Sequence, residues 1–152
     1  MRKKSLKLNI IEKPSIASLD TLTREAVRLR DDLTCQRCGK KKIHGWKMEV
    51  AHHYSRAMKS VRWDLDNVVL LCFNCHYLWG HQNPNEFSEW WKQRLGETKY
   101  QMLQLRKSGG KPDLWLTKMY LQQEIKKIEE EKECNAGEKT SLTNRGIGKL
   151  SS

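Results

Sequence analysis

Apolar residues recur at helical spacing in the segment 18–30, which predicts a helix ahead of the first cysteines of the chain. Ser18 or Asp20 can cap its start, because short polar side chains accept hydrogen bonds from the free backbone N–H groups of a helix. Shorter stretches follow this helix and predict two strands, over residues 42–46 and 48–52, and a short apolar run over 68–71 ends at Cys72.

Three further helices are predicted after the strands. The first begins at Asn83-Pro84, where Asn is a favourable cap and Pro suits the first helical position, and it ends near Gly96. The other two cover 98–107 and 112–133. A small sheet with flanking helices of this kind predicts an α+β fold.

Changes in composition divide the chain into four predicted segments. Residues 1–17 form a basic, flexible arm, and residues 18–110 form the main domain. A C-terminal helix over 111–134 follows. The last segment, 135–152, is rich in Gly, Ser, Thr and Lys, and we expect it to be disordered.

The composition is 38% hydrophobic and 31% charged, which predicts a small core supported by a bound metal. The 29 Lys and Arg residues against 18 Asp and Glu give a net charge of +11, which favours nucleic acid as the partner. No apolar run approaches the ~20 residues of a membrane span, and the basic N-terminus lacks the apolar segment of a signal peptide. We therefore expect a cytoplasmic protein without membrane contact.

Two C-x-x-C pairs are the first candidate for chemistry, and they consist of Cys35, Cys38, Cys72 and Cys75. Such pairs in a reducing compartment more often bind metal than form disulfides, and four thiolates predict a closed, structural zinc site. A redox pair is the alternative, although one C-x-x-C would suffice for it. The 33 residues between Cys38 and Cys72 exceed the about 15 to 20 of a zinc ribbon. Cys134 stands alone and is predicted to be an ordinary surface thiol.

Histidines and an asparagine lie between and beside the cysteine pairs. His52-His53 ends a predicted strand, Asn67 precedes the apolar run, and His76 directly follows the last cysteine. This order resembles the HNH endonuclease motif of the ββα-metal nucleases, in the branch whose hairpin is flanked by C-x-x-C knuckles. The resemblance covers about residues 30–96. It implies a small ββα-metal module that uses a metal ion to hydrolyse phosphodiester bonds in DNA.

A finer similarity links the chain to the phage recombination proteins NinG and Ref. It is carried by the segment 51–56, by Arg62-Trp63 and by Gly80. It implies a role in DNA recombination or processing, in the cytoplasm of a bacterial or phage-infected host cell. Two positions depart from the pattern, since His52 stands where many HNH proteins have Asp and His76 stands where NinG-like proteins often have Asn.

The resemblance assigns His52 and His76 to the catalytic metal, His53 to the general base, and Asn67 to holding His53 through the hairpin backbone. A neutral imidazole can take a proton from water near neutral pH. Two imidazoles without a carboxylate favour Mn²⁺, Ni²⁺ or Zn²⁺ and hold Mg²⁺ loosely. Because adjacent strand residues point to opposite faces, the roles of His52 and His53 can also be swapped. His81 is expected to end a turn, with a phosphate contact as the alternative.

Arg56, Lys59 and Arg62 follow the histidine pair and are predicted to contact DNA phosphates, with a solvated basic loop as the alternative for each. Most tryptophans are expected to be core residues of a small zinc domain rather than platforms for stacked bases. The tryptophans in question are Trp63, Trp79, Trp90 and Trp91.

Two competing functions follow from the same features. The first is a zinc-ribbon-like protein that binds nucleic acid without catalysis, which has no need of the three histidines. The second is a zinc-containing protein-interaction module, which would show no salt-dependent DNA binding.

Overall fold

An antiparallel hairpin of two strands, β1 (Met48–His52) and β2 (Val68–Cys72), forms the sheet. The computed structural model describes residues 13–41 and 47–143. His52 pairs with Val68, so the histidine pair lies beside the residue that precedes β2. The predicted strand over 48–52 is confirmed, the apolar run over 68–71 forms the second strand, and the predicted strand over 42–46 lies outside the described residues.

Strand β2 is buried on both faces, because a separate apolar cluster covers each. On one face Val68 and Leu70 pack with residues of the first and last helices. On the other face Val69 and Leu71 pack with the cysteines and with Trp91. A strand covered on both sides is expected to be continuously apolar, as this one is.

Four α-helices surround the hairpin: α1 (Ile16–Arg30), α2 (Pro84–Leu95), α3 (Glu97–Lys107) and α4 (Leu114–Thr143). All four were predicted, with shifted ends. Helix α1 starts earlier than expected because Ser15 is its cap: the Ser15 hydroxyl accepts from the backbone N–H of Ser18, and the Ser18 side chain accepts from that of Ser15. The small α+β architecture predicted from the sequence is confirmed.

Helix α4 continues to Thr143, so the tail predicted to be disordered from residue 135 begins as helix. The residues 1–12 of the predicted arm and the residues 144–152 of the tail lie outside the described chain. Helix α4 lies along α1 and buries Leu121 and Ile125 in the cluster that also holds Leu19 and Val27. Within the described residues, none of the helices is both long and apolar enough to cross a membrane.

A π-helix, Asn74–His81, connects β2 to α2. In a π-helix the hydrogen bonds run from residue i to i+5, so side chains five positions apart lie on one side. His76 and His81 are five positions apart, and their ring centroids are 4.9 Å from each other.

Candidate functional site

The four cysteines of the two C-x-x-C pairs form a compact cluster. One sulfur from each of Cys35, Cys38, Cys72 and Cys75 lies within 4.8 Å of all the others. Backbone bonds shape the first knuckle: the Cys35 N–H donates to the Lys40 carbonyl at 2.8 Å. Gly39 turns the chain there with a φ of 71°, a conformation that favours glycine.

The donor set of this cluster fits Zn²⁺, because four thiolates can occupy all four positions of a tetrahedral ion. Three of the four cysteines are buried, as expected for a closed site. Over residues 13–41 and 47–143, no second group of three or more His, Cys, Asp or Glu side chains is comparably close. The cluster is therefore able to hold a metal ion, and its four sulfur donors make zinc the metal that its chemistry favours.

Asn67 connects the two ends of the hairpin. It is fully buried, and its side-chain oxygen accepts from the Tyr54 N–H at 2.7 Å. Its amide nitrogen donates to the carbonyls of Tyr54 at 3.0 Å and of Val61 at 2.9 Å. Its own carbonyl accepts from the His53 N–H at 3.0 Å. Asn67 thus fixes the backbone on both sides of the turn that follows the histidine pair.

His52 lies at the end of β1, half-buried, on the side of the hairpin that faces α1. Its Nε2 is 3.2 Å from the carbonyl oxygen of Arg62. A carbonyl only accepts, so Nε2 carries the proton and Nδ1 keeps its lone pair. Burial, and then the nearby charge of Arg56, lower the pKa of His52 to about 4, so this imidazole is neutral near pH 7.

His76 lies in the first turn of the π-helix and pairs with a carboxylate of β1. Its Nδ1 is 2.9 Å from Oε2 of Glu49, so Nδ1 donates and Nε2 is left with a free lone pair. Burial lowers the pKa of His76 and outweighs the opposite effect of Glu49. A carboxylate that holds one ring nitrogen orients the other toward a ligand, as is usual for histidines that bind metals.

A pocket of about 360 Å³ contains both of these histidines. His52 and His76 line it together with Glu49 and with residues of α1. Three of the lining residues are arginines: Arg24 and Arg28 of α1, and Arg56. The structure therefore brings together the two predicted metal-binding histidines, in cationic surroundings.

His53 does not line this pocket. Its ring stacks on Trp91, with centroids 5.3 Å apart, and its Nε2 is 3.2 Å from the hydroxyl oxygen of Tyr100. Its Nδ1 is buried without a hydrogen-bond partner. Burial, and then the charge of Lys107, lower the pKa of His53 to about 4. The alternation of side chains along a strand explains why the two adjacent histidines lie on different sides of the hairpin.

The three cations predicted to contact DNA lie in three different environments. Arg56 is exposed and lines the pocket of His52 and His76. Lys59 is exposed and does not line it. Arg62 turns inward, and its guanidinium donates to Asp20 at 2.7 and 3.0 Å and to the Arg56 carbonyl at 3.0 Å. In this basic loop Arg62 therefore stabilises the fold, whereas Arg56 and Lys59 are exposed to solvent.

Several residues of the site escaped the prediction. Glu49 was seen only as a strand residue, although a carboxylate three positions before a histidine pair was a possible signal. Asp20 was seen only as a possible cap, yet it joins α1 to Arg62 and to Trp63 Nε1, the latter at 2.8 Å. The arginines of α1 gave no signal, because nothing in the sequence places that helix beside the hairpin. As expected, Trp63, Trp79 and Trp91 are buried.

Comparison with known families agrees with this geometry. Residues 35–81 match the family model described as HNH endonuclease. The matched segment contains both cysteine pairs, the hairpin, Asn67 and the π-helix. A search of curated proteins and a search of solved structures each found no match.

Residues 35–81 therefore match the HNH endonuclease family, as the sequence predicted. The family implies a metal-dependent function of the nuclease type, and nucleic acid is the substrate class of such enzymes. The closer similarity to NinG and Ref stays a prediction.

Proposed function

We propose that this protein is a metal-dependent DNA endonuclease. The observation that carries the proposal is that His52 and His76 line one pocket whose walls also hold three arginines. Phosphodiester hydrolysis requires ligands for a cation and positive charge around the phosphate. This pocket supplies both, and most of it is built from the segment that matches the HNH family.

The ion would be held by His52 and His76. The hydrogen bond to Glu49 leaves the lone pair on Nε2 of His76, and the bond to the Arg62 carbonyl leaves Nδ1 of His52, whose ring also interacts with the Val50 backbone. Two imidazoles favour Mn²⁺, Ni²⁺ or Zn²⁺ over Mg²⁺, and two protein ligands leave room for water and phosphate oxygens. When bound, the ion supplies Lewis acidity for the phosphate and for the departing O3′.

The proton acceptor is one member of the histidine pair. Position in the motif favours His53, whose buried Nδ1 has no other partner. Location favours His52, because it lines the pocket while His53 packs against Trp91 on the other side of the hairpin. We assign the proton acceptor to His53 because of its position in the motif. The swapped assignment, with His52 as the acceptor, makes a different prediction. Loss of the acceptor abolishes cleavage and spares Mn²⁺ binding, whereas loss of a ligand weakens both.

The similarity to NinG and Ref supports a DNA-processing role of the phage recombination type. It is carried by residues of the turn after β1, among them Tyr54 and Arg56, and by Arg62-Trp63. In the structure this turn is bonded to Asn67 and forms the edge of the pocket.

A second candidate function is nucleic-acid binding without cleavage. One observation favours it: within the described residues the histidines and Glu49 do not form a group of three ligands as close as the cysteine cluster. Under this alternative the zinc-supported module would bind DNA through its net charge of +11 and would need none of its histidines.

The test is nicking of supercoiled plasmid by the full chain with Mg²⁺, Mn²⁺ or Ni²⁺. We expect nicking by the unmodified protein, and its loss in His76→Ala, His52→Ala and His53→Ala. Gln123→Ala is the control, since Gln123 is exposed on α4 and does not line the pocket, and it should retain activity. Equal nicking by all variants would indicate a contaminating nuclease. A protein that binds DNA yet never nicks it would establish the non-catalytic function instead.

A further inference from the structure

Helix α1 forms one wall of the histidine pocket, although it lies outside the segment that matches the HNH family. Arg24 and Arg28 extend from this wall, and both are exposed. They are four positions apart, so they lie on one side of the helix with a separation of about 6 Å along its axis. Two guanidiniums are thus arranged in a row beside His52 and His76.

Two of the carboxylates around this wall are engaged elsewhere, while Glu25 and Glu129 line a neighbouring cavity together with Arg24 and Arg28. Asp20 accepts hydrogen bonds from Arg62 and Trp63, and Glu49 accepts one from His76. Arg24 donates to the hydroxyl of Thr21 at 2.8 Å. Within the described residues, neither Arg24 nor Arg28 has a carboxylate oxygen within 4.0 Å. The positive charge of the wall is therefore available to a ligand.

We propose that Arg24 and Arg28 bind backbone phosphates of the DNA strand that enters the histidine pocket. This inference rests on the proposed function and adds a binding wall that the HNH segment does not supply. A row of exposed guanidiniums suits a polyanion better than a single small anion, because each can contact a different phosphate along the strand. Arg56, across the same pocket, extends the contact to the other side of the site.

The experiment compares two double variants of equal charge loss in the full, zinc-loaded chain. Arg24→Gln/Arg28→Gln removes the wall, while Lys126→Gln/Lys127→Gln removes two exposed charges from α4 as the control. Binding to a labelled DNA duplex two helical turns long is measured by fluorescence anisotropy at several salt concentrations, without added divalent cations. A single strand of the same length is the second probe.

We expect the arginine variant to bind DNA about tenfold more weakly, and its slope of log K against log salt to fall by about 1.8, since each phosphate contact on duplex DNA contributes about 0.9. The lysine variant should bind nearly as the unmodified protein does. Equal losses in both variants would overturn the proposal and leave only a general charge effect. Unchanged binding by the arginine variant would overturn it as well, even if an acidic protein partner were later found on this wall.

The result of this binding experiment can be distinguished from the result of the plasmid-nicking test of the proposed function. If the arginine variant loses DNA binding while the unmodified protein never nicks plasmid, the binding wall stands and the endonuclease proposal fails. If the unmodified protein nicks plasmid and the arginine variant binds DNA normally, the endonuclease stands and the wall fails.

Discussion

Asn67 shows how a single side chain holds the site together. The turn between β1 and β2 has few backbone bonds of its own near the histidine pair, and Asn67 supplies them from its amide group. A carboxamide offers a donor and an acceptor without a charge, so it can satisfy an N–H and two carbonyls in a fully buried place. The residue type is therefore dictated by the backbone groups around it.

We expect Asn67→Ala to destabilise the protein by about 3 kcal/mol, because it leaves buried backbone groups without partners. Urea unfolding of the zinc-loaded protein measures the effect. Asn83→Ala is the control: Asn83 is exposed and donates one hydrogen bond, to the Trp79 carbonyl, so its loss should cost under about 1 kcal/mol. Equal effects in the two variants would contradict the structural role given to Asn67.

Asp20 carries a second prediction, which concerns pH. The hydrogen bonds from Arg62 lower its pKa below the ordinary 3.8, against the opposing effect of burial. A carboxylate with a lowered folded-state pKa stabilises the protein above its unfolded-state pKa, and this contribution disappears as the pH falls through the folded-state value. Asp20→Asn should therefore be less stable than the unmodified protein at neutral pH, and the difference should shrink below about pH 4.

The measurement for Asp20 is the free energy of unfolding at several pH values, with both proteins zinc-loaded at the start. Loss of zinc in acid affects both proteins alike and cancels in the difference. Asp32→Asn is the comparison, since Asp32 pairs with Lys41 and Lys132 on the surface, where ion pairs contribute little. A difference for Asp20→Asn that stays constant with pH would show that its ion pair with Arg62 is not the cause.

At the scale of elements, the hairpin and the cysteine knuckles depend on each other. Cys72 ends β2, and Cys75 lies in the π-helix that follows, so the cysteine cluster joins the strand, the helix and the first knuckle. A two-stranded hairpin is at best marginally stable alone. The two apolar clusters supply burial that the hairpin lacks, and a metal ion on the cysteines would add to it.

Cys72→Ser is expected to lose zinc and to unfold the module, because removal of one thiolate opens the tetrahedral site. Metal content and thermal unfolding followed by circular dichroism measure both effects. Cys134→Ser changes an exposed cysteine outside the cluster and should keep its zinc and its melting temperature. A folded Cys72→Ser protein without zinc would contradict the structural role of the metal.

Local patterns predicted the elements better than they predicted the site. The strands, the four α-helices and the cysteine site follow from periodicity, capping residues and ligand spacing, which act over a few residues. The π-helix was not predictable, since a segment this short shows the same pattern of apolar and polar residues whether it forms an α-helix or a π-helix. The division of His52 and His53 between two sides of the hairpin was foreseen only as a possibility, because it depends on what packs on each side.

At the scale of the molecule, contacts distant in sequence decide which residues surround the pocket. Helix α4 supports α1 through Leu121 and Ile125, and α1 in turn forms the arginine wall. No sequence pattern connects residue 121 with residue 24, so neither the wall nor its support could be inferred from the sequence. The same holds for Trp91, which follows its helix pattern but whose contact with His53 appears only in the fold.

Leu121→Ala is expected to destabilise the protein by about 2 to 5 kcal/mol, since it opens a cavity in the cluster between α1 and α4. Leu116→Ala on the same helix removes a side chain that is 67% exposed and should change stability by less than about 0.5 kcal/mol. Chemical denaturation of the two variants side by side tests the packing. Similar values for both would show that α4 does not support α1 as described.

The π-helix from Asn74 to His81 has more residues per turn than an α-helix, and this has a consequence for changes in chain length. An α-helix places positions four apart on one side, and the wider helix does so for positions five apart. If one residue between Tyr77 and Gly80 were deleted and the segment became an α-helix, the histidines now at positions 76 and 81 would still lie on a common side. Sequences shorter by one residue there are thus compatible with the same arrangement of rings, and spacing alone is a poor criterion for recognising it.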